Sequence, residues 1–318
     1  MMQTLSMNHV DPWLSLEYLR SFIQFQDSSS GSMCSQFGPS GCLSRTDAMP
    51  PNMALTVADW YKQVGETAGK QILSELFPHL EKYIEWDLKN RRDASGPYRH
   101  LLFWHGAYEA GMDHEQTFCP GKRGDLIQGC RSDHYAVDFT SYIIWECEAL
   151  AQIATELGLS DRAAYWNTTA AATTDALLTH LWDPATGFFY DRYFNGTMMN
   201  IKTVAGFYPL LASKIPAAQV KGMVAMLKAK DFATAVPVPT VGIFTPDFSS
   251  DLDRGPMWEQ QNLYIIRGLR KYGYDAEADA LKRVSLGVVR HYYEQWGTVF
   301  EFCASRVVAA VLSLAVAL

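Results

Sequence analysis

Apolar residues recur at helical spacing along most of this chain, and strand-like alternation is scarce. Asp11-Pro12-Trp13 opens the first clear stretch, which carries Leu14, Leu16, Tyr18, Leu19, Phe22, Ile23 and Phe25. An Asp ahead of a Pro signals a helix start: the carboxylate caps free amides, and the Pro ring fits the first turn. The same periodicity predicts helices over 53–64 and 72–88. The clearest one covers 137–157, with Tyr142, Trp145, Leu150 and Ile153 recurring and Gly158 as its stop. Asp161 starts the next, through Tyr165 and Trp166 to Leu181, and 216–227, 256–272 and 276–296 complete the set. Alternation is confined to 188–193 and 236–244.

The predicted helices come in pairs, with short linkers alternating with long ones at 28–51, 93–133, 183–200 and 232–255. The long linkers are rich in Gly, Pro, Asp and aromatics, as functional loops are. This is how an all-α toroid of paired helices reads, with a site at one end. Bundles and solenoids stay open on periodicity alone, although no clean repeat supports a solenoid. Composition narrows the picture a little. A chain of 318 residues can bury one large core or two smaller ones, and 48% hydrophobic with 19% charged residues is ordinary for a globular protein. The formal charge of −7 argues against nucleic acid or an anionic membrane as partner. Nine Trp suit a sugar site, but also any helical core.

The six cysteines show no zinc-type spacing. Cys34 and Cys42 bracket one Gly/Ser/Pro loop, and Cys119 and Cys130 another. Either pair could close a disulfide in an oxidising compartment, while free thiols in a reducing cell are the favoured expectation. No basic segment with an apolar run after it stands at Met1, so no secretion signal is visible. The cytoplasm is therefore favoured, with the secretory pathway open if the chain begins late. The apolar stretch 307–318 falls short of the roughly 20 residues that span a bilayer, and is expected as a buried last helix or an altered end.

Two carboxylates carry the chemistry: Asp113, in Trp104-His105-Gly106-Ala107-Tyr108-Glu109-Ala110-Gly111-Met112-Asp113, and Glu301, in Val299-Phe300-Glu301-Phe302. Glycoside hydrolysis needs two carboxyl groups facing each other across the scissile bond, and apolar rings nearby help to push their pKa values apart. Tyr108-Glu109-Ala110-Gly111-Met112-Asp113 resembles the Glu-Ser-Gly-Met-Asp signature of glycoside hydrolase family 63 and its neighbours, the trehalases and the mannosylglycerate or glucosylglycerate hydrolases. Arg254-Gly255-Pro256-Met257-Trp258 through Asn262 and Arg267-Gly268-Leu269 resembles the family's Gly-Pro-Val-Trp…Asn…Gly-Leu helix. Thr186-Gly187-Phe188-Phe189-Tyr190-Asp191 is similar to its Thr-Gly-Leu-Tyr-Tyr-Asp loop. Val299-Phe300-Glu301-Phe302 matches the place of its general base.

The resemblance implies an (α/α)6 toroid of the six-hairpin glycosidase type and an inverting α-glycosidase of glucosyl or mannosyl compounds. Residues 1–318 would form one such catalytic domain, needing no cofactor and no metal. Asp113 would be the general acid and Glu301 the general base. Trp104 and Trp258 would offer apolar faces to the sugar, and Glu109 and Asn262 would hydrogen-bond its hydroxyls. The run His114-Glu115-Gln116-Thr117 departs from the family's Asn-Ser-Pro-Arg, and the residues after Phe302 depart as well. The early Trp-Asp loop has no counterpart, and about five of the expected six helix pairs can be counted. The expected toroid is therefore a partial one, and an inactive sugar-binding or scaffold remnant of the same fold is the alternative function.

Other features have plainer readings. His105 and His114 are expected as hydrogen-bonding neighbours of the acid. Asp247, Asp251 and Asp253 miss the calcium-loop spacing and read as acidity at the start of the helix after Pro256. Lys122, Arg123 and Arg131 would suit an acid-bearing substrate such as a glycerate, or be ordinary surface charge. No Gly-x-Ser-x-Gly elbow and no phosphate loop is present. The oligomeric state is left open.

Overall fold

The computed structural model of the chain describes residues 2–118, 132–246 and 248–304. It is helical, with α1 Met2–Met7, α2 Pro12–Ile23, α3 Met53–Val64, α4 Glu66–Asn90, α5 Ala107–Ala110, α6 Val137–Glu156, α7 Ser160–His180, α8 Ala217–Leu227, α9 Glu259–Lys271 and α10 Asp275–Trp296. Strands are short: β1 Gln36–Gly38, β2 Gly41–Ser44, β3 His134–Tyr135, β4 Trp182–Asp183, β5 Phe188–Phe189, β6 Arg192–Tyr193, β7 Met257–Trp258 and β8 Phe302–Cys303. They pair antiparallel as β1–β2, β3–β6, β4–β5 and β7–β8. Among the described residues no helix is long and apolar enough to cross a membrane.

The chain divides into two compact units, the first comprising Met1–His105, Glu109–Gly111 and Phe139–Leu177. Here Asp11 caps α2 as its position predicts, accepting from the amides of Trp13 and Leu14 at 3.1 and 3.0 Å. α3 has no such local cap. Its first-turn amides at Ala54 and Leu55 instead donate to the Glu146 carboxylate on α6, each at 2.8 Å. A remote acid thus satisfies donors that the helix leaves free. Glu81 on α4 accepts from Arg162 and from the Trp166 indole on α7, both at 2.6 Å. Trp60, Trp145, Trp166, Tyr83 and Tyr142 fill the core. Cys34 and Cys42 form a disulfide with Cα atoms 5.7 Å apart, which corrects the expectation of free thiols for this pair. The tight β1–β2 hairpin brings the two cysteines within bonding reach. Cys119 and Cys130 lie outside the described residues, as does the apolar stretch 307–318.

The second unit comprises Gly106–Tyr108, Met112–Asp138 and Leu178–Leu318. α9 packs against α10 and against a 3-10 segment, Val204–Leu211. The close approach depends on Gly268, where an added Cβ would fall 2.4 Å from the Leu210 Cβ. Every residue of the 3-10 segment is buried, so its sequence is apolar all round and shows no period for a reading of amphipathicity to detect. The predicted strand over 236–244 is reduced to isolated bridges, Thr203 with Val241 and Pro239 with Met257. Pro237 and Pro239 have no amide to give to a ladder.

Candidate active site

Asp113 follows a bend that only the backbone of a glycine makes easily: Gly111 has φ +67° just after α5. Asp113 itself is exposed, while Met112 and the whole of 114–118 are buried. Three contacts hold this segment. The Met112 sulfur accepts from the Gln261 amide on α9 at 3.6 Å, and the His114 ring Nδ1 lies 3.1 Å from Asp251. The His114 backbone amide points to Asp253 at 3.5 Å.

Glu301 reaches the same neighbourhood along a different route. Gly297 ends α10 in the left-handed conformation, and the chain turns back to pair β8 with β7. Phe302 lies opposite Trp258 in the ladder, and their rings stack with centroids 5.2 Å apart at 29°. Glu301, one residue earlier, is exposed. The Trp258 indole donates to the Leu252 carbonyl at 3.2 Å, which ties the ladder to the Leu252–Arg254 turn. Asp253 in that turn is the meeting point. Burial above all raises its pKa to about 7, the His114 amide opposes this, and the charges of Asp113, Asp251 and Glu301 add to the rise. The residues next to the two exposed carboxylates, His114 and Phe302, are therefore tied to the turn that carries this buried third one.

The surroundings are polar but under-satisfied. Gln116 Nε2, Thr117 Oγ1, Glu115 Oε1, Glu259 Oε1 and Gln261 Oε1 are buried without a hydrogen-bond partner among the described residues. Burial raises the Glu259 pKa to about 7. Glu115 is pushed well above the usual carboxylate range by burial, and further by Asp191, Asp138 and Asp253. Such donors and acceptors are what a polyhydroxylated ligand can satisfy. Asp191, from the Thr186–Asp191 motif, accepts from the Val137 amide at 2.8 Å and so caps α6.

The other residues singled out from sequence are fully engaged with protein. Asn262 is wholly buried; its amide donates to the Pro237 carbonyl at 2.9 Å and to Ser285 at 2.7 Å, and its oxygen accepts from the Val238 amide at 3.1 Å. In the first unit the Trp104 ring is wholly buried and stacked on Phe139 at 3.6 Å and 10°. Glu109 is buried there in a two-pronged ion pair with Arg91, at 2.6 and 3.1 Å. It also accepts from the amides of Ala48 at 3.0 Å and His105 at 2.7 Å. That unit also contains a cleft of about 510 Å³, lined by residues that include Arg45, Trp86, Asn90, Arg91 and His105.

One expectation is corrected. Asp251 and Asp253 do not serve the start of the following helix, because α9 begins only at Glu259 and both side chains turn to His114. Among the described residues no group of three His, Cys, Asp or Glu side chains is placed to hold a metal ion. Asp247, Lys122, Arg123 and Arg131 lie outside the described residues. Sequence reasoning misses Glu115, Asp253 and Gln261 as site residues. The only signal for them is the departure His114-Glu115-Gln116-Thr117 and the spacing of the acidic run.

Comparison with solved structures gives the fold. A family 63 mannosylglycerate hydrolase from Thermus thermophilus, in complex with glucose, superposes with a TM-score of 0.79 at 18% identity, covering 99% of this chain and 89% of that one. The neutral trehalase of Saccharomyces cerevisiae superposes at 0.64 and 15% identity, covering 85% of this chain and 61% of that one. The fold is that of the six-hairpin glycosidases, as the motif resemblance implies. Residues 2–297 match the mannosylglycerate hydrolase MGH1-like glycoside hydrolase domain, and the chain belongs to that family. Glu301 lies just beyond the matched residues. An uncharacterized protein of Borreliella burgdorferi is 24% identical over 294 residues, 91% of this chain and 56% of that protein. A mannosylglycerate hydrolase of Rubrobacter radiotolerans is 29% identical over 154 residues, 46% of this chain and 34% of that enzyme. The chain thus spans about half the length, or less, of these curated relatives.

Proposed function

We propose that this chain is an inverting α-glycoside hydrolase acting on a small glucosyl or mannosyl compound, with Asp113 as general acid and Glu301 as general base. The observation that supports the reading is that the residues next to both carboxylates are tied to the Leu252–Arg254 turn, His114 by its amide to Asp253 and Phe302 through its ladder partner Trp258. In the reaction Asp113 gives its proton to the leaving oxygen while Glu301 takes one from a water on the opposite sugar face. That geometry asks for carboxyl groups about 6.5–9.5 Å apart. The unpartnered atoms of Gln116, Thr117, Glu259 and Gln261 supply hydrogen bonds for sugar hydroxyls. Trp258 flanks the sugar, and Asn262 holds the start of its helix. Trp104 and Glu109 act indirectly, by fixing the chain that leads toward Asp113.

The domain match across 2–297 supports reading the chain as one catalytic domain. A substrate with a glycerate aglycone is favoured by the relatives named mannosylglycerate hydrolases and by a Thermus thermophilus structure in complex with Tris and D-glycerate. Asp113→Asn and Glu301→Gln are each expected to cut turnover by about 10²-fold or more with the melting curve unchanged. Wild-type-like activity in either variant refutes the assignment.

A further inference from the structure

The turn after β6 carries Asn195-Gly196-Thr197, an acceptor sequence for N-linked sugar that the hydrolysis does not use. Such triplets arise by chance, so their surroundings decide. A second one, Asn167-Thr168-Thr169, lies inside α7. There the Asn167 side-chain amide donates to the Ala163 carbonyl at 2.9 Å and the Thr169 hydroxyl to the Tyr165 carbonyl at 3.0 Å. Both groups that sugar transfer requires are thus engaged by the helix. At Asn195 they are free.

Asn195 and Thr197 are exposed, and neither the Asn195 Nδ2 nor the Thr197 hydroxyl has a partner among the described residues. The Asn195 Oδ1 accepts from the Thr197 amide at 2.9 Å, which folds the side chain back toward the hydroxyl-bearing residue. The Gly196 amide donates to the Tyr193 carbonyl at 2.8 Å, and the Tyr193 amide to the Thr197 carbonyl at 2.9 Å. With Gly196 at φ +90°, this is a three-residue hairpin loop closed by a glycine bulge. Tyr193 and Thr197 oppose each other across it, so their side chains share one face. The Phe194 ring packs edge-on against Tyr135, with centroids 4.9 Å apart. The half-buried Tyr193 ring has no aromatic partner among the described residues. A separate observation concerns the compartment. The Cys34–Cys42 disulfide marks a chain that matures where thiols are oxidised, since such bonds are rare in the reducing cytosol.

We propose that Asn195 is an N-glycosylation site and that its first sugar lies on the Tyr193 ring, beside Thr197. The transfer forms a C–N bond between Nδ2 and the anomeric carbon of an N-acetylhexosamine. The donor is an oligosaccharide on a lipid pyrophosphate. Its anomeric C–O bond breaks, the lipid pyrophosphate leaves with the electron pair, and a base of the transferring enzyme takes one Nδ2 proton. The folded hairpin accommodates the product because the modified amide already points to solvent.

The test is peptide mass mapping of the full chain purified from the cells that make it, before and after peptide-N-glycosidase in oxygen-18 water. The Asn195 peptide is expected to carry hexosamine and hexose and to return as labelled Asp, while the Asn167 peptide stays unmodified and Cys34 is found linked to Cys42. An unmodified Asn195, a modified Asn167, or alkylatable Cys34 and Cys42 overturns the proposal. Thr197→Ala should lose the modification, and retention of it would count against the site. Enzymatic removal of the sugar should lower the melting midpoint by about 1 °C or more, and this difference should vanish in Tyr193→Ala. A midpoint that ignores the sugar, or a difference that survives in Tyr193→Ala, overturns the placement on the ring.

Discussion

Glu109 reads from sequence as a sugar contact, but its surroundings predict a different consequence of mutating it. Its side chain is 0% exposed and that of Arg91 is 3% exposed, so both charges are out of water. Each prong of the Arg91 fork meets one carboxylate oxygen, and the Ala48 and His105 amides donate to the same two atoms. Glu109→Gln keeps the shape but removes the charge. It leaves the buried guanidinium without its counter-ion and turns an amide NH2 toward groups that are all donors. Breaking such a pair costs about 3–5 kcal/mol, because the remaining charge stays buried. Arg91→Met should cost a similar amount by stranding the carboxylate. The double variant should cost clearly less than the sum, since neither ion is left alone, with a coupling of about 1–3 kcal/mol. Urea unfolding of the four proteins at one pH measures the cycle. Single variants within about 1 kcal/mol of wild type would refute the reasoning. A normal unfolding midpoint with kcat/KM alone reduced would show Glu109 touching substrate.

Three further outcomes test the scaffold. Asn262→Ala should cost about 2–3 kcal/mol in urea unfolding, because the Val238 amide, the Pro237 carbonyl and Ser285 lose a buried partner; stability equal to wild type contradicts this. Gly268→Ala should cost about 1–3 kcal/mol by forcing α9 away from Leu210, measured the same way, and a stabilised variant would contradict it. Burial raises the Glu146 pKa to about 7, against the opposing amides of Leu55, Ala54 and Met53. The folded chain therefore holds a proton between about pH 4.5 and 7 that the unfolded chain releases. That contribution to stability is present at low pH and is lost as pH rises through 7, by about 3 kcal/mol in full. Glu146→Gln should flatten that slope in unfolding midpoints taken from pH 4.5 to 8; an unchanged slope contradicts it.

Much of the scaffold is legible because its helices are amphipathic. The run Met53–Val64 and the capping Asp11 are local signals, and they appear as read. The buried 3-10 segment Val204–Leu211 is not legible, since burial on all sides removes the period. Asp113 and Glu301 stand out through motif and context, and the residues next to them, His114 and Phe302, are tied to one turn. The division of labour around them is what sequence cannot show. Asn262, Glu109 and Trp104 look like site residues along the chain, yet long-range contacts absorb them, to Pro237, Arg91 and Phe139 respectively. Asp253 looks like one acid in a surface run, and only a contact 139 positions away in sequence, to His114, turns it inward.

The most direct test of the central claim is proton NMR of the anomer first released when the chain meets mannosylglycerate, glucosylglycerate, trehalose and a glucosylated oligosaccharide. The account predicts that at least one α-glycoside gives the β-anomer first, and that Asp113→Asn and Glu301→Gln abolish the signal. Release of the α-anomer alone, or no hydrolysis of any of the four by a folded chain, would contradict it.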